Sequence, residues 1–157
     1  MRRRNFLSAT AAFALIGTTQ GTAFANTGNF EVTRTPAEWR ARLSALQYRV
    51  MRREGTEAPF SSPLDKNYAA GTYVCRGCHL PIYASSAKYD SGTGWPSFYQ
   101  SLPGAVATKA DDTLFTTRTE VHCRRCGSHL GHIFDDGPEP TGKRHCLNGV
   151  SLIFVAA

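Results

Sequence analysis

Apolar and polar positions follow two rhythms along this chain, and the rhythm changes near Gly71. Before it, Thr35-Pro36-Ala37-Glu38 has the Thr-x-x-Glu spacing of a capping box, with proline at the first helical position. Trp39, Leu43 and Leu46 follow at i, i+4 and i+7, which predicts one short amphipathic helix with a single buried stripe. From Arg53 to Asn67 the chain is broken by Gly55, Pro59, Ser61, Ser62 and Pro63 and reads as ordered coil around the domain. Beyond Gly71, Thr72-Tyr73-Val74, Thr113 to His122, His132-Ile133-Phe134 and Val150 to Val155 are β-branched and aromatic runs separated by Gly, Pro and Asp. Such runs predict antiparallel sheet, so the expected class is mainly β (α+β) with a short N-terminal helical arm.

The 157 residues, 41% apolar and 19% charged, suit one compact domain and exclude a disordered or collagenous chain. There is no internal repeat, low-complexity tract or dividing linker. The formal charge of +6 is concentrated at the start, where Arg2, Arg3 and Arg4 precede a mild apolar stretch and Ala23-Phe24-Ala25. That is the pattern of an export signal ending in a small-x-small cleavage site. Paired arginines followed by Asn5-Phe6-Leu7 resemble the twin-arginine type, which exports folded proteins; the other reading is an ordinary signal for unfolded export. The expected organisation is a signal over residues 1–25 and one domain over 26–157, exported, in a bacterium to the periplasm. Without the first 25 residues, 15 basic and 12 acidic side chains remain, too even a balance for a nucleic-acid partner. Nowhere do about 18 apolar residues run together, so no membrane helix is expected once the signal is gone.

Four of the five cysteines form two pairs, Cys75-Arg76-Gly77-Cys78 and Cys123-Arg124-Arg125-Cys126. A two-residue spacing lets each turn aim both sulfurs at one point, and two such turns make the closed four-sulfur shell of a structural zinc. Two disulfides are the rival reading for an exported chain, although a domain folded around metal before export has its thiols already committed. Cys75-Arg76-Gly77-Cys78-His79 also matches the c-type haem attachment pattern. Against an electron carrier, Met51 is the only methionine beyond the signal and the second cysteine pair would have no role.

Cys146 is then the odd cysteine, either an inert buried hydrophobe or a reactive thiol. Lys143, Arg144 and His145 precede it, an electropositive setting expected to favour thiolate. If this run is a strand, Arg144, Cys146 and Asn148 share one face. His129 and His132, three apart, are the side chains best suited to hold or pass a proton near neutral pH, and either is equally readable as a surface histidine. Trp95 lies in a Gly94-Trp95-Pro96 turn able to present the indole, with core packing as the alternative. Phe98 and Phe134 read as core, and His79 and His122 as neighbours of the metal turns.

Gly55-Thr56-Glu57-Ala58-Pro59-Phe60, Ser91-Gly92-Thr93-Gly94-Trp95-Pro96-Ser97-Phe98, Gly127-Ser128-His129-Leu130-Gly131-His132-Ile133-Phe134 and Arg144-His145-Cys146-Leu147-Asn148 interleave with both cysteine pairs. Together they resemble the methionine-R-sulfoxide reductase B family from about Thr35 to Phe154. The resemblance implies two antiparallel sheets packed around an active site, with a structural zinc on Cys75, Cys78, Cys123 and Cys126 opposite that site. It implies reduction of the R epimer of methionine sulfoxide in oxidised proteins and peptides, a repair activity. Cys146 would attack the sulfoxide sulfur, His129, His132 and Asn148 would surround its oxygen or an ordered water, and Trp95 would wall the S-methyl. Two positions depart from the family. His145 replaces a usual aromatic residue, expected to alter the pocket or the Cys146 thiol. Thr93 stands where many relatives keep a resolving cysteine, so a one-cysteine cycle with an external thioredoxin-like thiol is expected, in a monomer. A haem carrier and a non-catalytic zinc-ribbon binding module are the competing functions; visible colour would mark the first, and indifference to Cys146→Ser the second.

Overall fold

The computed structural model describes residues 29–157, and the export signal read in residues 1–25 lies outside them. Helix α1 (Pro36–Arg42) starts as expected: Thr35 accepts from Glu38 N, and the Glu38 carboxylate accepts from Thr35 N at 2.8 Å. The single predicted helix is in fact two. Leu43 turns extended, and Ser44 opens a second capping box with Gln47 that starts α2 (Ala45–Arg53). That second start signal is hidden inside an apparently continuous apolar stripe. Trp39 and Leu43 are buried, whereas Leu46 is exposed; Val50 and Met51 bury α2 instead.

Residues 54–70 form coil with turns, as expected. A small sheet has the order β2 (Pro81–Ala84), β1 (Gly71–Cys75), β9 (Leu152–Ala156). A larger one runs β3 (Lys88–Tyr89), β4 (Ser97–Phe98), β8 (Arg144–Leu147), β7 (His129–Phe134), β6 (Arg118–Cys123), β5 (Val106–Asp111). Every pairing in both is antiparallel, so the expected class and the two sheets are both present. Within the predicted run Thr113 to His122, however, residues 113–117 form a loop with Leu114 and Phe115 exposed, and strand starts only at Arg118.

Aromatic rings join the two sheets. Phe98 of β4 lies 5.0 Å from Tyr73 of β1 and 4.6 Å from Tyr83 of β2, centroid to centroid. Met51, Ile82, Leu130, Leu147 and Leu152 fill the remaining core, each burial being worth about 1.5–3 kcal/mol. Phe134, expected in the core, is only half-buried and lies under the Arg144 guanidinium at 4.4 Å. No helix among the described residues is long and apolar enough to cross a membrane.

Candidate active site and metal centre

The two cysteine pairs occupy equivalent turns. In the β1–β2 turn His79 N donates to Cys75 O, and in the β6–β7 turn Gly127 N donates to Cys123 O. The donor in each turn is left-handed, with φ 59° at His79 and 65° at Gly127. Glycine takes that conformation at little cost, whereas the histidine is an uncommon occupant. The four sulfurs converge to within 4.8 Å of one another, with Cys75–Cys126 at 3.6 Å and Cys78–Cys123 at 3.5 Å. None of the five cysteines is disulfide-bonded. Sulfur edges of this length match a tetrahedron with metal–sulfur bonds of about 2.3 Å, so the donor set fits one metal ion and leaves no open coordination position. Arg52 donates to Cys126 O at 3.1 Å, and the electrostatic pull of Cys126 and Cys75 partly offsets the burial that lowers its pKa. A cation is therefore stationed beside four sulfurs that ionise on binding metal.

Cys146 lies on β8, between β4 and β7. Its Cα pairs with Ser97 on one side and with His132 on the other. Backbones approach closely here: a Cβ on Gly131 would fall 2.0 Å from Cys146 O, so only glycine fits at position 131. Thr93 Oγ1 is 3.9 Å from Cys146 Sγ and joins a run of hydroxyls through Ser91 at 2.8 Å to Ser97 at 2.7 Å. The expected electropositive activation is outweighed. Burial pushes the Cys146 thiol up, and this outweighs the opposing effects of Thr93, Arg144 and Ser97. Arg144 is held by Asp136 in a two-pronged contact at 2.8 Å, and Lys143 pairs with Asp135. His145 turns to the opposite face, where its Nδ1 meets Tyr83 OH at 3.0 Å and burial pushes its pKa down to about 4. It therefore packs against Tyr83 of the small sheet, on the face of β8 opposite Cys146, as the two-residue alternation of a strand requires.

Each candidate histidine is gripped by a buried carboxylate. Glu120, 1% exposed, takes His129 Nδ1 on one oxygen at 2.6 Å and His122 Nδ1 on the other at 2.7 Å. Burial raises the Glu120 pKa, but these bonds and the adjoining rings hold it down at about 2. An ionised carboxylate only accepts, so both Nδ1 atoms carry protons and His129 presents Nε2. That Nε2 is buried with no partner among the described residues. His132 is bound the other way round, with Nε2 at 2.6 Å from Asp111 Oδ2. Asp111 is itself held well below the usual carboxylate range, where burial is outweighed by Thr113, His132 and Arg118. His132 therefore presents Nδ1, and burial lowers its pKa despite Asp111, so it is neutral at neutral pH. The two rings lie edge to face at 5.4 Å.

Trp95 and Asn148 are tied to the same site through Glu57. Trp95, half-buried, donates its indole N–H to Glu57 O at 3.2 Å. Glu57 N donates to Asn148 Oδ1 at 2.9 Å, and the Glu57 carboxylate caps Gly149 N and Val150 N. The Asn148 amide also donates to Leu130 O at 3.2 Å, which leaves it one free N–H. Among the other histidines, His79 is exposed and His122 is buried against Phe30.

The SelR domain family matches residues 43–156. A peptide methionine sulfoxide reductase MsrB of Thiobacillus denitrificans is 52% identical over 122 residues, covering 77% of this chain and 92% of that one. One from Leptospira interrogans is 47% identical over 127 residues, 80% of this chain and 97% of the relative. Another, from Methanosarcina barkeri, is 50% identical over 124 residues, 78% and 87% respectively. The chain belongs to the methionine-R-sulfoxide reductase B family. In this family member Glu57, Asp111 and Glu120 hold the candidate residues in place, although the sequence does not single them out. Glu120 and His122 are two apart on one strand, a signal that period-two alternation offers. For Asp111 there is no such local signal, because its partner His132 lies two strands away.

Proposed function

We propose that this protein reduces the R epimer of methionine sulfoxide in oxidised proteins and peptides, with Cys146 as nucleophile. The reading is carried by one observation: an unclaimed thiol on β8 lies beside a strand whose two histidines are each oriented by a buried carboxylate. Because burial keeps Cys146 largely as thiol at neutral pH, its proton must leave as sulfur attacks. His132, neutral and presenting Nδ1, accepts that proton, and the histidine pair delivers it to the departing oxygen. The sulfoxide S–O bond breaks, the oxygen moves to Cys146 as a sulfenic acid, and a thioether is released, so atoms and protons balance. Trp95, half-buried in its turn, offers an apolar face for the S-methyl.

All four other cysteines belong to the metal turns, so the sulfenic acid has no resolving thiol within the chain. An external dithiol, from a thioredoxin-like protein, therefore condenses with Cys146–SOH, expelling water, and its second thiol then frees Cys146. Zinc is the metal we assign to the four sulfurs, because a closed four-thiolate shell suits a structural ion that takes no part in the reaction. Export by the twin-arginine route to the periplasm is supported by Arg2-Arg3-Arg4 and Ala23-Phe24-Ala25, and we infer a monomeric mature chain beginning at Asn26. N-terminal sequencing of the exported protein tests the processing. For the activity, both epimers of a peptide sulfoxide are assayed with the metal-loaded protein; turnover of the S epimer, or of neither, would overturn the reading.

A further inference from the structure

A cavity of about 320 Å³ opens beside the first cysteine turn, away from the Cys146 site, and is lined by Arg34, Trp39, Arg42, Leu43, Arg76 and His79 among others. That volume lies at the small end of ligand pockets. Its lining includes three arginines and no carboxylate, with Cys78 of the first metal turn as the one group in the wall that can carry negative charge. The guanidinium of Arg34 lies 4.8 Å from the Trp39 ring centre and that of Arg52 lies 4.7 Å from it, so two like charges crowd one indole. Arg52 and Arg76 have a local counterpart, since both feel the attraction of the metal-turn cysteines. Arg34 and Arg42 form no ion pair among the described residues. The carboxylate whose field they share, Glu38, spends Oε2 on Thr35 N and Oγ1.

Two buried donors are also unsatisfied here. Among the described residues, Trp39, 3% exposed, has no partner for its indole Nε1, and Arg34 has none for Nη1. Arg76 is anchored through Nε to Val150 O and through Nη2 to Leu152 O, which fixes its guanidinium at the cavity wall. Buried polar groups in native proteins are nearly always paired, and fixed guanidinium groups are well matched to oxyanions. Three arginines with no carboxylate in the lining, a formed cavity and N–H groups orphaned among the described residues thus fall on one set of residues.

We propose that this cavity is an anion site that binds a small oxyanion, a phosphate or carboxylate group, between Arg34, Arg42 and Arg76. The oxyanion adds negative charge beside Arg34 and Arg42, which have no ion pair among the described residues, and gives the guanidinium groups of the wall an acceptor. The site does not depend on the sulfoxide chemistry, and its failure leaves the reductase reading untouched.

The test uses isotope-labelled, metal-loaded protein titrated with inorganic phosphate, and separately with acetate, against chloride at constant ionic strength. The expected result is a saturable shift of the Trp39 indole N–H and of the Arg34 and Arg42 Nε–H signals, with the Trp95 indole unmoved. Exposed Arg42→Gln weakens the binding about tenfold, the loss of one charge-assisted contact. Arg40→Gln, on the same helix but stacked over Tyr48 outside the cavity, leaves binding unchanged. Peptide sulfoxide reduction is the same in both variants. Saturation by either anion upholds the site, and the tighter of the two identifies the group it takes. Non-saturating shifts, equal shifts at both indoles, or equal weakening by Arg40→Gln would each overturn it.

Discussion

The imidazole of His129 donates its Nδ1–H to Glu120 at 2.6 Å, with both groups almost fully buried. Such a bond fixes the tautomer and leaves Nε2 as the nitrogen able to accept a proton. A Glu120→Gln substitution replaces an acceptor-only group with an amide that can donate, which pushes the His129 proton to the wrong nitrogen. We expect turnover to fall about 10²- to 10³-fold with little change in KM. Metal content stays at one ion per chain, and the nitrogen shifts of His129 report the altered tautomer. A fall in metal content equal to the fall in activity would mean that Glu120 only supports the fold.

Cys146 itself is expected to react as an unactivated thiol in the free protein, because burial outweighs its polar neighbours. Alkylation by iodoacetamide should follow an apparent pKa above the ordinary thiol value of about 8.5. An alkylation midpoint near 6 would show that Arg144 is released from Asp136 and activates the sulfur.

Much of this is legible from sequence, for reasons that differ by element. Both metal turns and the Thr35 capping box are local patterns, and local patterns survive folding. Strand β5, with the sequence Val106-Ala107-Thr108-Lys109-Ala110-Asp111, escapes notice because its small and charged residues carry little strand signal. Residues 113–117 carry that signal in Thr, Leu and Phe and yet form a loop, since chain reversal from β5 to β6 overrides propensity. The charges around Cys146 mislead for a related reason: their partners, Asp135 and Asp136, lie at the end of the neighbouring strand rather than within the motif. Sequence shows which charges are present, whereas only the fold shows which are already paired.

His145 makes the protein acid-sensitive in a defined window. Its folded pKa of about 4 lies below the ordinary histidine value of about 6.5. As pH falls through that interval the unfolded chain takes up a proton that the folded chain refuses, so stability is lost, by up to about 3 kcal/mol. The Glu120 and Asp111 contributions are lost at lower pH, as their depressed carboxylates are protonated. In His145→Phe the melting temperature should be less dependent on pH between 6.5 and 4, although the unpaired Tyr83 hydroxyl costs about 1 kcal/mol at pH 7. Identical pH profiles for the two proteins would refute this assignment.

Metal removal separates the two classes of cysteine. Stripping the ion with a chelator, or Cys123→Ser, should unfold the domain, because folding and metal binding are one equilibrium where the sulfurs are buried and crowded. Cys146→Ser should melt within a few degrees of the parent chain and turn over no sulfoxide. Circular dichroism and metal analysis of the three samples decide the matter.

Thr93 offers the sharpest test of the one-cysteine cycle. Its hydroxyl is 3.9 Å from Cys146 Sγ, so the two side chains already converge, and a second sulfur at this position needs only a small adjustment to reach bonding distance. Reduced parent protein given sulfoxide but no reductant should become one oxygen heavier on Cys146, and dimedone should trap it. Under the same conditions Thr93→Cys should lose that oxygen as water and form an internal disulfide. The mass then falls by two hydrogen atoms relative to the reduced variant, and the digest contains a cross-link between Cys146 and the introduced thiol. Its second half-cycle becomes disulfide reduction, the reaction that thioredoxin-like proteins perform best, and glutathione alone should sustain turnover less well than in the parent. An internal disulfide in the parent chain would place one of the four metal cysteines in the cycle and refute the division of roles among the five thiols.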